Sequence, residues 1–180
     1  MFVRTTKIGR RLVPALIALA LTVTVYGTVS QAAADSDAMD CLNEAERELL
    51  DLINDYREDH GLRRLRVAED LNEAAYLHSK DMAENGFFDH TNLDGEAPED
   101  RMDDRGYDTD GSTGENIAAG YWSPEEVFEA WRSSPSHDRN LLRKSFRSIG
   151  IGRVKKDDSE YGIYWTADFG SERDSKPDGC

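Results

Sequence analysis

The sequence predicts an α+β domain. Segments with helical spacing and helix-start residues come first, and two strand-like runs split by a turn-rich connector come last. That order packs helices on a small sheet. The 180 residues suit one domain, with no internal repeat and no low-complexity segment.

Residues 1–34 read differently from the rest. Arg4, Lys7, Arg10 and Arg11 lead into an apolar run from Leu12 to Val25, and "SQAAAD" then places small residues at Ala32 and Ala34. A basic end, an apolar middle and an A-x-A site make a secretory signal. The alternative is an uncleaved membrane anchor, since the run is near the lower limit for a span. Cleavage at Asp35 predicts a mature chain with no stable membrane span. The export route stays open, because Arg10-Arg11 also fits a twin-arginine signal.

Residues 35–41 form a polar lead, 42–170 the domain and 171–180 a tail. From Leu42 to His60 apolar residues recur at Leu42, Ala45, Leu49, Leu52, Ile53 and Tyr56, and Gly61 closes this first helix. "LRRLRV" is an extended link. A second helix is expected from Asp70, as N-cap, to Asn85, with Gly86 behind it and a stripe of Leu71, Ala74, Ala75, His78 and Met82. Residues 87–122 read as loop, broken by a short helix from Pro98 to Arg105. Ser123-Pro124-Glu125-Glu126 starts a helix carrying Val127, Phe128 and Trp131, which Pro135 stops. A further short helix runs from Ser136 to Arg143. "SIGIGRV" (Ser148–Val154) and "YGIYWTADF" (Tyr161–Phe169) then form an antiparallel hairpin.

Charge excludes some partners. The leader carries four of the 22 basic residues and none of the 36 acidic ones, so its removal takes the net charge from −14 to −18. Such a surface repels nucleic acid and anionic lipid. Excess carboxylate with little lysine fits a halophilic setting, where the screening length falls to ~3 Å at 1 M salt. "DDRGYDTDG" (Asp103–Gly111) lacks the ligand spacing of an EF-hand and reads as a solvated acidic loop. The two cysteines, Cys41 and Cys180, bracket the mature chain. Export favours a disulfide between them, worth up to ~4–5 kcal/mol in the chain-entropy account. The rival reading is a lipid-modified Cys41, although the charged "DAMD" before it is a poor lead-in.

Four histidines occur. His60 reads as a surface cap residue and His78 as a hydrogen-bonded core histidine on the second helix. His90 and His137 sit in or beside loops, where aromatic and proline neighbours fix them. Phe87 and Phe88 are expected to anchor their loop in the core and aim His90 into a cleft.

"FFDHT", "GENIAAGYWSPEEVFEAW", "SPSHDRNLL" and "IGIG…YWTADFG" occur in order. Together they resemble the CAP superfamily of cysteine-rich secretory proteins, antigen 5 and pathogenesis-related proteins (SCP-like extracellular domains), in its microbial branch. The resemblance spans Leu42 to Gly170. It implies an α-β-α sandwich with a small antiparallel sheet between helices, and secretion or attachment to the cell envelope. It also implies a cleft of histidines and glutamates that sometimes holds a divalent metal. The histidine of F-x-H-[ST] falls on His90 and the glutamate of G-E-N on Glu115. The second glutamate of the animal and plant pattern falls on Ser134, and the second histidine on Tyr164. His137 and Asn140 match the microbial S-P-x-H-x-x-N instead. The implied site is His90, Glu115 and His137, edged by Tyr164 and His78.

Two imidazoles and a carboxylate suit Zn²⁺ or another divalent cation. The alternative is that Glu115 hydrogen-bonds the histidines and ties three loops together without metal. The first functional expectation is a secreted binding module for an extracellular protein, a glycan or an apolar small molecule. The second is a metal-dependent hydrolase of peptides or esters with Glu115 as base. H-E-x-x-H and G-x-S-x-G are both absent, and Ser133, Ser134 and Ser136 beside His137 read as helix caps rather than a triad. The third is an envelope-associated structural protein acting through its acidic face.

Overall fold

Asn43 opens the first helix, α1 (Glu44–Asp59), through a reciprocal cap: its side chain accepts from the Glu46 amide while Glu46 accepts from the Asn43 amide. Glu46 is buried, and its second oxygen accepts from the backbone of Arg153, tying this helix to the sheet. The computed structural model describes residues 42–172. The leader, Cys41, Cys180 and their pairing lie outside the described residues.

The Asn54 amide bonds both backbone groups of Leu65 and holds the following link extended. That link contains a strand, β1 (Arg66–Val67). Next come α2 (Glu69–Asn85), α3 (Pro98–Arg105), β2 (Thr113–Ala119), α4 (Pro124–Ser133), α5 (Pro135–Leu141), β3 (Ser148–Lys155) and β4 (Ile163–Gly170). The sheet order is β1-β3-β4-β2. β1 runs parallel to β3, and the other pairs are antiparallel. The sheet is therefore mixed, where an antiparallel one was expected.

Two boundaries also differ. Ala68, not Asp70, precedes α2, and Asp70 lies in the first turn, where its charge suits the helix start. Thr113–Ala119, expected as loop, is a full strand paired to β4 along its length.

The two faces of β4 divide the molecule. Ile163, Trp165, Ala167 and Phe169 join Ile149 and Ile151 in the main core, under Leu49 and Ile53 of α1 and Val127, Phe128 and Trp131 of α4. Tyr164, Thr166 and Asp168 face the other way, toward α2. Helices thus cover both faces, giving the α-β-α sandwich.

The α2 layer sits very close to the sheet. A Cβ on Gly150 would lie 2.1 Å from the Leu71 backbone, and one on Gly152 would lie 2.2 Å from Tyr76. Backbone meets backbone there, and Ser79 donates to the Gly152 carbonyl at 2.9 Å.

β2 forms one edge of the sheet, and side chains cap its carbonyls. Trp131 donates to Ile117, Asn140 to Glu115 and Arg143 to Thr113, at 3.1, 3.1 and 3.4 Å. On the other side, Arg57 is 1% exposed and donates to the carbonyls of Arg63 and Leu141. Burial pulls its pKa down to about 10. This clamp fixes α1 against α5 and so helps place His137.

Candidate functional site

Glu115 is the hub. It stands on β2, on the face that α2 covers, with its side chain 1% exposed. Oε1 accepts from His90 Nδ1 at 2.6 Å. Oε2 accepts from Arg101 Nη2, also at 2.6 Å. Arg101 comes from α3, and its Nη1 reaches the carbonyls of His90 (2.9 Å) and Glu96 (3.0 Å). One guanidinium thus holds strand, helix and the His90 loop together.

Asp168 lies opposite Glu115 in the β2–β4 register and is fully buried. Neither of its oxygens meets a donor. Burial first, and then the Glu115 charge, push its carboxyl well above the usual carboxylate range. Glu115 stands between the His90 imidazole and the Arg101 guanidinium.

The histidines are driven apart. The hydrogen bond to Glu115 holds His90 above the usual imidazole range. Burial, and then the His90 charge, hold His137 below it. His90 is 48% exposed at its side chain and has Nε2 left for another partner. The His137 ring makes no hydrogen bond among the described residues, while its carbonyl accepts from Asn116 at 3.2 Å. Asn140 bonds Asn116 at 2.9 Å as well as the Glu115 carbonyl, so the two asparagines lock α5 to β2.

Of the five expected cleft residues, His90 and Glu115 are in direct contact, and His137 lies near enough to His90 to feel its charge. His78 is buried, with its ring pushed toward the neutral form chiefly by burial. Its Nε2 bonds the Asp89 carbonyl at 3.0 Å, a brace from α2 to the loop. Tyr164 is 0% exposed and packs beside Met82, Ala83 and Ile117. It lies in the sheet beneath the site because even positions of β4 face α2. Phe87 packs into that cluster as expected. Phe88 does not, being 42% exposed with its ring 5.8 Å from Tyr161. Neighbouring residues of an extended segment point to opposite sides, so only one ring can enter the core. His60 caps α1 and bonds the Tyr56 carbonyl.

Sequence reasoning missed Arg101 and Asp168. Arg101 lies in "PEDRMDDR", which reads as a charged surface helix; its one apolar residue, Met102, was the available signal. A cavity of about 250 Å³ opens beside Arg101, lined among others by His78, Asp81, Asp94, Glu96 and Asp104.

A cation at Glu115 would compete with Arg101 and His90, each of which already holds one carboxylate oxygen. Among the described residues no group of three or more His, Cys, Asp or Glu side chains is arranged to hold a metal ion. The donor set as it stands does not fit the divalent cation that the resemblance implied.

The profile of the cysteine-rich secretory protein family (CAP) matches residues 50–169. The chain belongs to that family. Within this CAP domain the matched span takes in the whole Glu115 cluster. The uncharacterised protein YkwD of Bacillus subtilis is 38% identical over 126 residues, covering 69% of this chain and 46% of YkwD. The uncharacterised membrane protein YlbC of the same organism is 33% identical, covering 69% of this chain and 34% of its own. The chain therefore spans less than half of these curated relatives. An SCP-domain extracellular protein from Bacillus anthracis superposes with TM-score 0.64 at 28% identity, over 71% of this chain and 40% of that one. An outer surface protein of Borrelia burgdorferi gives 0.65 at 28%, over 73% and 95%. Among the described residues no helix is long and apolar enough to cross a membrane.

Proposed function

We propose that this CAP domain is an extracellular or envelope-attached binding module whose cleft takes a polar group of a glycan or of a partner protein's peptide segment through His90 and His137. The carrying observation is the asymmetry of the pair. His90 is biased toward the charged donor form and His137 toward the neutral form, and both keep ring nitrogens that the fold does not use. A donor beside an acceptor matches a hydroxyl, amide or carboxylate better than a purely apolar ligand. The extracellular setting draws on the leader-like residues 1–34 and on two relatives described as an extracellular protein and an outer surface protein.

The test is a nuclear magnetic resonance titration with cell-wall glycan fragments and peptides, following the imidazole C–H signals. A true ligand moves both rings, and His137→Ala weakens it at least about tenfold with the melting temperature unchanged. A ligand that binds the wild-type domain and leaves both rings unmoved would place recognition elsewhere.

A hydrolase is the second reading, because the same asymmetry suits acid–base work. Glu115 is poorly placed as its base, because its side chain is 1% exposed and each oxygen already holds a partner. Turnover of a peptide or ester that disappears in His137→Ala would move this reading to first place.

A further inference from the structure

We propose that Arg101 is the resident cation of the cleft: it occupies on Glu115 the place that a divalent ion would need, and the site works without metal. This holds whichever ligand the cleft takes.

Three observations carry it. The first is occupancy. Arg101 Nη2 and His90 Nδ1 each lie 2.6 Å from a different oxygen of Glu115, so a metal–oxygen bond of ~2.0–2.2 Å on the side either one fills would displace that partner, and a metal elsewhere on the carboxylate would meet the guanidinium charge. The second is burial. The Arg101 and Glu115 side chains are 9% and 1% exposed, so the pair is shielded from solvent. The third is the tether. Arg101 Nη1 binds the carbonyls of His90 and Glu96, which closes the loop between them onto α3. A structural metal cross-links segments and neutralises carboxylates, and this side chain does both.

Arg101 is thus a positioning residue. It braces Glu115 and the His90 loop, and so holds His90 with Nδ1 turned inward. The experiment is calorimetric titration of the full-length chain with zinc chloride, beside Arg101→Ala, the milder Arg101→Gln, and Arg101→Ala combined with His90→Ala. The wild-type chain should take up no zinc stoichiometrically. Removing the guanidinium should open a site at least roughly 100-fold tighter than any wild-type binding. Losing His90 as well should abolish it. If Arg101→Ala folds only when zinc is added, as circular dichroism would register, that too supports the proposal. Stoichiometric wild-type zinc that is lost in His90→Ala overturns it. So do folded Arg101→Gln and Arg101→Ala proteins that gain no zinc affinity.

Discussion

At the scale of residues, the acid pair beneath the cleft makes stability depend on pH. Asp168 holds in the folded state a proton that the unfolded chain releases above about pH 3.9. Its raised pKa means that its contribution is complete below that value and is lost as pH rises. Asparagine copies the shape of the protonated carboxyl. Asp168→Asn should therefore raise the melting temperature near pH 7 and leave it nearly unchanged near pH 3.5, read by calorimetry across that range. A uniform drop at every pH would show that the carboxyl does something an amide cannot. Asp168 was hard to find in the sequence. In "IYWTADF" the polar members alternate with apolar ones, as in a strand with one wet face. Here α2 covers the polar face, so the alternation marks two different cores. His90, Glu115 and His137 were readable because short motifs carry them. Arg101 was not, because its role depends on which strand its helix packs against.

At the scale of elements, the contact of α2 with β3 is the most demanding in the fold. Gly150→Ala and Gly152→Ala each drive a methyl to within about 2.4 Å of helix backbone, and backbone cannot move aside as a side chain end can. Each should cost ~1–3 kcal/mol or more, seen as a lower denaturant midpoint. Wild-type stability in either variant would mean that the helix can lift off the sheet without penalty. "SIGIGRV" already showed the alternation of glycine and isoleucine, though not that a helix backbone fills the glycine side. β2 shows the opposite limit. "TGENIAA" holds glycine, glutamate and asparagine, a poor strand composition, and reads as loop. It is a strand because β4 pairs with all seven of its residues. Local preference yields to tertiary pairing there, and Glu115 sits where the two conflict. The caps of α1 and α4, by contrast, were legible residue by residue.

At the scale of the whole molecule, helices before a hairpin indicated the layered architecture, and the family motifs supplied its name. The parallel strand β1 escaped notice because two residues carry too little pattern to read. Net charge acts at this scale too. A chain of net charge −14 keeps its copies apart at low ionic strength, and salt removes that protection. The three side chains that cap the outer carbonyls of β2 then take on another meaning. They are a guard against self-association, since a bare strand edge recruits further strands. Asn140→Ala takes one guard away from the strand that bears Glu115. Its first symptom should be oligomers that grow with protein concentration and with salt, measured by light scattering, while the isolated molecule melts within about 1–2 kcal/mol of wild type. The residues that steady the strand bearing Glu115 would in that case also be what keeps one copy of the chain from adding its edge to another.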